Sequence, residues 1–171
     1  MPALRGHPEA RRGFTLIELM VVVTIVAVAA AFIVPLARDE DRVRVMAAAT
    51  VLASDIELAQ VMTIAHPDDP VVVRFDADKN AYWLAYRDTP DDAMPHPDTG
   101  DLYEVVLGQG RAGSAAGVTM TIDKLPTNTL VFDESGGLID FTETPLIQLS
   151  HGDQSITLAI APMTGTVSET E

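Results

Sequence analysis

The chain has no cysteine, so it cannot use a disulfide scaffold, a cysteine-ligated zinc or iron–sulfur site, or a thiol nucleophile. Positive charge is scarce as well. The chain holds 11 Lys and Arg against 25 Asp and Glu, and the net charge of −14 argues against a general nucleic-acid binder. Glycine and proline contribute only 11 residues each, which excludes a collagen-like or linker protein. Apolar residues make up 47% of the 171, enough for one domain with a sizeable core.

The charges are distributed unevenly and divide the chain into three parts. Residues 1–13 are basic, with a net charge of +2. Residues 14–37 contain a single charged side chain, Glu18. Residues 38–171 hold eight Lys and Arg against 23 Asp and Glu, a net charge of −15. The sequence therefore combines a basic leader, an apolar stretch and an acidic body.

The apolar stretch 14–37 is long enough to cross a membrane. As a helix it would measure about 36 Å, against a bilayer core of about 30 Å. It is apolar on every side, which is not the pattern of a surface helix. Arg11 and Arg12 precede it, and this placement favours an N-terminus that stays in the cytoplasm.

Three roles are open for this stretch. It could be an ordinary signal peptide with a small-residue site near Ala27–Ala31, or a twin-arginine export signal that includes Arg11 and Arg12. It could also be a permanent anchor. Glu18 favours the anchor, because a carboxylate within the membrane costs about 2.5–3.5 kcal/mol on insertion scales and neither export signal needs one.

Residues 13–20, which read GFTLIELM, resemble the processing site of type IV prepilins and type II secretion pseudopilins. The resemblance implies that a membrane aspartic peptidase cleaves between Gly13 and Phe14 and that Phe14 is then N-methylated. Glu18 falls where the family carries its glutamate. Pro35 falls where many pilins carry a proline, and a kink or local unwinding is expected there; a plain helix end is the alternative.

Glu18 has a natural counter-charge in this family. Cleavage creates an amino group on Phe14, with an ordinary pKa of about 7.7–8.0. Stacked subunits would bury this cation beside Glu18 of a neighbour. Such a pair adds little net stability, but removing one partner costs about 3–5 kcal/mol. We therefore expect the pair to set the register of assembly.

The helix is expected to continue as an amphipathic segment, 38–66. An apolar stripe steps by three and four residues, and four charged residues are expected to lie away from it. The stripe is Val45, Ala49, Leu52, Ile56 and Ala59, and the charged residues are Arg42, Arg44, Asp55 and Glu57. Pro67 and Pro70 close the segment.

Residues 67–171 are expected to form a β-rich globular domain. Asp76–Asn80 joins two strands into a hairpin. The predicted strands are Val71–Phe75, Ala81–Arg87, Leu102–Leu107, Val118–Ile122, Leu130–Phe132, Leu138–Phe141, Leu146–Ser150 and Ser155–Ala161. The fold class is α+β and pilin-like, with a long N-terminal helix on an antiparallel β-rich domain. This layout resembles the GspH/FimT group of pseudopilins and minor pilins, whereas the absence of cysteine departs from many major pilins.

Other motifs are weaker. Gly108–Gly113 matches G-x-G-x-x-G but lacks the following helix of a nucleotide site, so a flexible surface loop is expected. Asp76–Asn80 begins like a calcium loop and then departs from it. The acidic loop Asp88–Asp101 leaves Ca²⁺ binding open, with solvated charge as the simpler expectation. The four histidines have no zinc-like spacing, and no nucleophile elbow is present. The chain is therefore not predicted to be an enzyme, and no cofactor or metal is expected.

The resemblance implies a minor pseudopilin of a type II secretion system. Its partners would be other pseudopilins or pilins, a prepilin peptidase and an inner-membrane assembly platform, with no nucleic acid. It would cross the inner membrane once, with the C-terminal domain in the periplasm, and then enter the pseudopilus. The alternative is a FimT-like minor pilin of a type IV pilus, which acts in fibre initiation or DNA uptake.

Overall fold

The computed structural model describes residues 15–170, and within them the side chains of residues 31–39 are not described. The chain forms two compact units, one ending at Ala37 and the other beginning at Arg38.

Helix α1 extends from Leu16 to Ala65. Thr15 stands just before it, and its Oγ1 accepts a hydrogen bond from the backbone N–H of Glu18 at 3.3 Å. A Thr followed three residues later by Glu is a typical helix start, because the hydroxyl binds an N–H group that has no partner within the helix. The helix continues through position 35, so it does not end at Pro35. The kink expected there remains a prediction.

In the second unit, α1 buries the apolar stripe that its spacing predicts. Val45, Ala49, Leu52, Ile56 and Ala59 are each at most 1% exposed. Among the described helical segments, Glu40–Ala65 is long and apolar enough to cross a membrane by length and composition. Because its stripe lies inside the domain, we interpret this segment as the core helix.

Eight strands form two antiparallel sheets of four. The first sheet has the order β3-β2-β1-β5 and the second has the order β4-β6-β7-β8. Their bounds are β1 Val71–Asp76, β2 Ala81–Tyr86, β3 Glu104–Val106, β4 Thr119–Asp123, β5 Thr129–Val131, β6 Leu146–His151, β7 Gln154–Ile160 and β8 Val167–Thr170. The hairpin at Asp76–Asn80 pairs Asp76 with Ala81, as the sequence predicts.

Alternation along the strands decides which face is buried. In β7, Ile156, Leu158 and Ile160 are buried, whereas Ser155 and Thr157 point away from the core. Side chains from α1 and both sheets join in one hydrophobic cluster. The fold is therefore α+β, with a long helix and antiparallel sheets, and the predicted fold class is confirmed.

One local prediction is wrong, and one strand is missing from the predicted set. Residues 138–141 do not form a strand, because only the bridge between Phe132 and Leu138 is made and Asp140 turns the chain at φ +63°. The backbone N–H of Leu138 binds Pro162 O at 2.7 Å instead of a ladder partner. Conversely, β8 was not predicted, since its polar sequence becomes a strand only by pairing with β7.

Candidate functional site

The described N-terminal part of α1 presents an exposed apolar surface. Its large apolar side chains between Leu16 and Val28 are each 48–76% exposed. Apolar surface this continuous marks contact with a membrane or with another protein. Glu18 lies in the first helical turn, where the positive end of the helix dipole favours a carboxylate. Gly13 and Phe14 lie outside the described residues.

Further exposed apolar side chains lie on the outward side of α1 in the domain, in two pairs separated by the exposed polar residues Thr50, Ser54 and Glu57. Val43, Met46, Val61 and Ile64 are 46–61% exposed, although the opposite side of the same helix is fully buried. Val43 and Val61 are five helical turns apart, so they share one face. We call these four residues the outer face of α1.

Residues 10–34 match the family model described as the prokaryotic N-terminal methylation motif. The chain carries a prepilin-type methylation motif. The matched residues include Gly13, Phe14 and Glu18. They also include the start of the exposed apolar helix.

Comparison with solved structures finds the minor pseudopilin EpsH from the type 2 secretion system of Vibrio cholerae. The two chains share 13% sequence identity and a TM-score of 0.48, and the match covers 76% of this chain and 97% of EpsH. No curated protein matches the sequence.

Within the second unit, a buried polar network joins α1 to the rest of the domain. Asp55 is 2% exposed. Its Oδ2 accepts a hydrogen bond from the Tyr82 hydroxyl at 2.6 Å, and its Oδ1 accepts one from the Tyr103 hydroxyl at 2.9 Å. Arg111 donates to Asp55 through Nη2 and to Tyr103 Oη through Nη1 at 2.9 Å. The network connects α1, β2, the approach to β3 and a short 3₁₀ segment, Gly110–Ala115.

The electrostatics keep both tyrosines in the donor state. Burial, together with the negative charge of Asp55, raises the pKa of Tyr82 far above its ordinary value. Burial also raises the pKa of Tyr103. Both hydroxyls therefore stay protonated and donate to the carboxylate. No buried side-chain nitrogen or oxygen lacks a hydrogen-bond partner among the described residues.

Two expectations are corrected by this network. The sequence predicts that Asp55 lies away from the apolar stripe, yet it is buried beside it. The signal lay in the spacing, because Asp55 is three residues after Leu52 and four before Ala59, on the same helical side. Residues 108–113 do not form the flexible surface loop that the sequence predicts. Most of them belong to the 3₁₀ segment Gly110–Ala115, in which Ala112 is buried and Arg111 donates a hydrogen bond to Asp55.

Two further side chains of α1 tie its C-terminal end to the domain. Gln60 Nε2 donates to Gly136 O and to Thr164 O, both at 2.7 Å. Buried Thr63 accepts a hydrogen bond from the N–H of Val71 at 2.9 Å, where β1 begins. The second half of α1 is therefore held by specific hydrogen bonds as well as by its apolar stripe.

The histidines do not converge on one site in the described chain. His151 Nδ1 is 2.8 Å from Gly117 O, and its Nε2 is 3.2 Å from Asp41 Oδ1, so its partners are not its sequence neighbours. The His96 ring stacks on Tyr103 with centroids 4.7 Å apart. His66 is exposed, and His7 lies outside the described residues.

The acidic segments also have structural partners. The hydrogen bond from Lys79 lowers the pKa of Asp76 in the hairpin turn and is the largest of several effects there. In the Asp88–Asp101 loop, Asp91 pairs with Arg74 at 3.2 Å, and Trp83 Nε1 donates to Pro90 O at 2.9 Å. Across the described residues, no three His, Asp or Glu side chains are arranged to hold a metal ion.

Proposed function

We propose that the chain is a minor pseudopilin of a type II secretion system, a structural subunit of the pseudopilus rather than an enzyme. One observation carries the proposal: a methylation motif over residues 10–34 opens an apolar helix whose large side chains are exposed from Leu16 to Val28. A chain with such a helix has to bury it in lipid or against other subunits. The anchor and the assembly surface are then the same segment.

The proposed path begins in the inner membrane. The basic leader stays in the cytoplasm, and the domain from Arg38 onward lies in the periplasm. A prepilin peptidase cleaves between Gly13 and Phe14 and methylates Phe14. The inner-membrane platform then transfers the subunit into the pseudopilus. Contacts between subunits are heterologous there, so that repetition gives a fibre and not a closed ring.

Glu18 sets the register in this proposal. Within the fibre, the apolar helices exclude water from the Glu18 carboxylate and from the Phe14 ammonium of an adjacent subunit. If a subunit lacks one of these two charges, its partner charge on the neighbouring subunit is buried without a counter-charge. This costs about 3–5 kcal/mol. The outer face of α1 supplies a second contact surface further along the same helix.

Processing is the first test. Mass spectrometry of the protein from its native membranes should give a chain of 158 residues that begins at Phe14 and carries one added methyl group. Gly13→Leu should keep the leader, because a side chain obstructs the peptidase at the scissile bond, and the chain should stay in the membrane. A mature chain that begins near Phe32 would indicate an ordinary signal peptidase and would refute the proposal.

Deletion of the gene in its native host then distinguishes a role in type II secretion from a role in a type IV pilus. Loss of a secreted reporter, with pilus formation and DNA uptake intact, supports the pseudopilin. Loss of pili or of DNA uptake, with secretion intact, supports the FimT-like minor pilin instead. Complementation with the Gly13→Leu variant provides the matched control, because it is synthesised and inserted but not processed.

A further inference from the structure

Strand β3 forms an edge of its sheet, and this edge faces a groove. In the described chain β3 pairs with β2 and with no strand on its other side. The groove has a volume of about 300 Å³ and is lined by β3 together with Leu102, Gln109, Gly110 and Arg111. Leu102 is 66% exposed, and a Cβ at Gly110 would meet no atom within 4 Å. The groove therefore offers an apolar wall and free space beside an uncovered strand edge.

The backbone groups of β3 alternate in direction along the strand. The N–H of Leu107 donates to Asn80 O at 3.0 Å, so residue 107 faces β2. Val105, two positions earlier, faces the same way and pairs with Tyr82. The N–H and C=O groups at positions 104 and 106 therefore point away from β2, toward the groove.

Each of these two outward residues already uses one of its two backbone groups. The N–H of Glu104 donates to Leu102 O at 2.9 Å, and the oxygen of Val106 accepts from the N–H of Gln109 at 3.0 Å. Among the described residues, the oxygen of Glu104 and the N–H of Val106 have no such backbone partner. The edge thus presents one acceptor and one donor, on either side of Val105.

An acceptor followed by a donor fits a parallel strand. In a parallel pair, a residue beside Val105 donates its N–H to the oxygen of Glu104 and accepts at its own oxygen from the N–H of Val106. An antiparallel strand would instead place one residue beside Glu104 and another beside Val106. Each of them would then meet a backbone group that already has a partner, and one of its own groups would stay unpaired. The edge therefore favours parallel addition.

The side chains along the edge restrict the sequence that fits. A residue beside Val105 directs its side chain to the same face as Val105, which is 2% exposed. The groove beside it is lined by apolar Leu102 and by Arg111, whose charge is already paired with Asp55, so an uncharged apolar side chain fits there. The preceding residue lies beside exposed Glu104, where a lysine or arginine gains a cross-strand ion pair.

A second copy of this chain does not supply such a segment. Residues 38–171 carry a net charge of −15, so two copies of the domain repel each other. In the described part of the chain, each lysine or arginine that precedes an apolar residue lies in α1, in the inner strand β1, in the 3₁₀ segment or directly before buried Leu125. The occupant is therefore a different protein.

We propose that the outer edge of β3 binds an extended segment of another protein by parallel strand addition. The segment places a lysine or arginine beside Glu104 and the apolar residue that follows it beside Val105. Two backbone hydrogen bonds fix its direction, and the ion pair with Glu104 selects its sequence. The inference does not depend on the proposed function, because it uses only residues of the second unit.

A synthetic peptide tests the proposal on the full chain in mild detergent. The probe is the acetylated and amidated heptapeptide Ser-Thr-Lys-Val-Thr-Ser-Thr, and binding is followed by the fluorescence of Trp83, the only tryptophan, which pairs with Glu104 across β2 and β3. The peptide should bind saturably at or below about 1 mM, and replacing its lysine by glutamate should weaken binding about fivefold. Glu104→Lys should reverse this preference. Absence of saturable binding, or no reversal, would overturn the proposal.

N-methylated peptides test the direction of the added strand. Methylation of the valine nitrogen removes the N–H that binds the oxygen of Glu104, and it should weaken binding about tenfold. The matched control is methylation of the threonine after the valine, whose N–H points away from β3 in a parallel strand, and this peptide should bind like the unmodified one. The opposite result would show antiparallel addition, and equal binding of all three peptides would show that the edge is not used. Either result contradicts the proposal.

The donor on β3 is tested from the protein side. Val106→Pro removes the outward N–H without removing a bond to β2, a position where an edge strand tolerates proline, and it should weaken binding about tenfold. Val106→Thr keeps the N–H and should bind like wild type. In the wild-type protein, saturating peptide should slow amide hydrogen exchange at Val106 about tenfold and leave Leu107, already bonded to Asn80, unchanged. Unchanged exchange at Val106, or full binding by the folded Val106→Pro variant, would refute the assignment.

Discussion

Asp55 allows the sharpest test of how the helix is held to the domain. Asp55→Asn keeps the shape of the side chain but removes its charge and replaces one acceptor oxygen by a donor NH₂ group. In the native protein the carboxylate accepts from Tyr82, Tyr103 and Arg111. The amide oxygen can accept only some of these hydrogen bonds, and the NH₂ group of the amide would face side chains that are themselves donors.

The magnitude follows from these partners. Hydrogen bonds to a charged group contribute about 1.5–3 kcal/mol each, and the variant loses the equivalent of one or two of them. Arg111 is partly exposed, so water compensates much of its loss and its ion pair adds about 0–1 kcal/mol. We therefore expect Asp55→Asn to lower the free energy of unfolding by about 2–4 kcal/mol.

The measurement is urea unfolding of the full chain in mild detergent, followed by near-UV circular dichroism of the tyrosines and Trp83. Glu57→Gln, an exposed change two residues away, is the matched control and should stay within about 0.5 kcal/mol of wild type. The double variant Asp55→Asn/Arg111→Met should be less destabilised than the sum of the single variants, because the unpaired cation is removed together with its partner. An Asp55→Asn effect as small as that of Glu57→Gln would refute this account of the network.

Three further predictions concern assembly, partners and pH. Glu18→Val should be cleaved normally and inserted more easily, yet cross-link poorly to other subunits, because the Phe14 ammonium loses its counter-charge; wild-type cross-linking would contradict the register. The domain 38–171 should not shift duplex DNA at micromolar concentration and physiological salt, since its net charge opposes the phosphates; saturable binding would favour DNA uptake. The pKa of Asp133 is lowered from its ordinary 3.8, and the hydrogen bond from Ser135 is the largest effect that lowers it. The ionised Asp133 therefore stabilises the fold above pH 3.8, and this stabilisation is lost as the pH falls through the lowered pKa of the folded state. Asp133→Asn should flatten the acid limb of a thermal unfolding profile, and an unchanged limb would contradict this role.

Patterns among neighbouring residues in the sequence are enough to predict the N-terminal motif, the buried side of α1 and the first hairpin. The apolar run and the methylation motif over residues 10–34 can be read from neighbouring residues, because such a signal is a linear motif. The spacing of Val45 to Ala59 placed the buried side of α1, since helical period alone decides which residues share a face. The Asp76–Asn80 hairpin followed from turn residues between two β-rich runs.

The tertiary structure decided what the pattern left open. The bond between Asp55 and Arg111 joins residues 56 positions apart, and the bond between Gln60 and Thr164 joins residues 104 apart. No period within a helix or strand encodes such pairs, so the sequence alone predicts that Asp55 lies away from the apolar stripe and that Arg111 lies in a flexible surface loop. Strand β8 forms because it pairs with the edge of β7, whereas residues 138–141 make only an isolated bridge. Burial of a charge and formation of an edge strand depend on which distant segments meet, and this is set only when the two sheets close on α1.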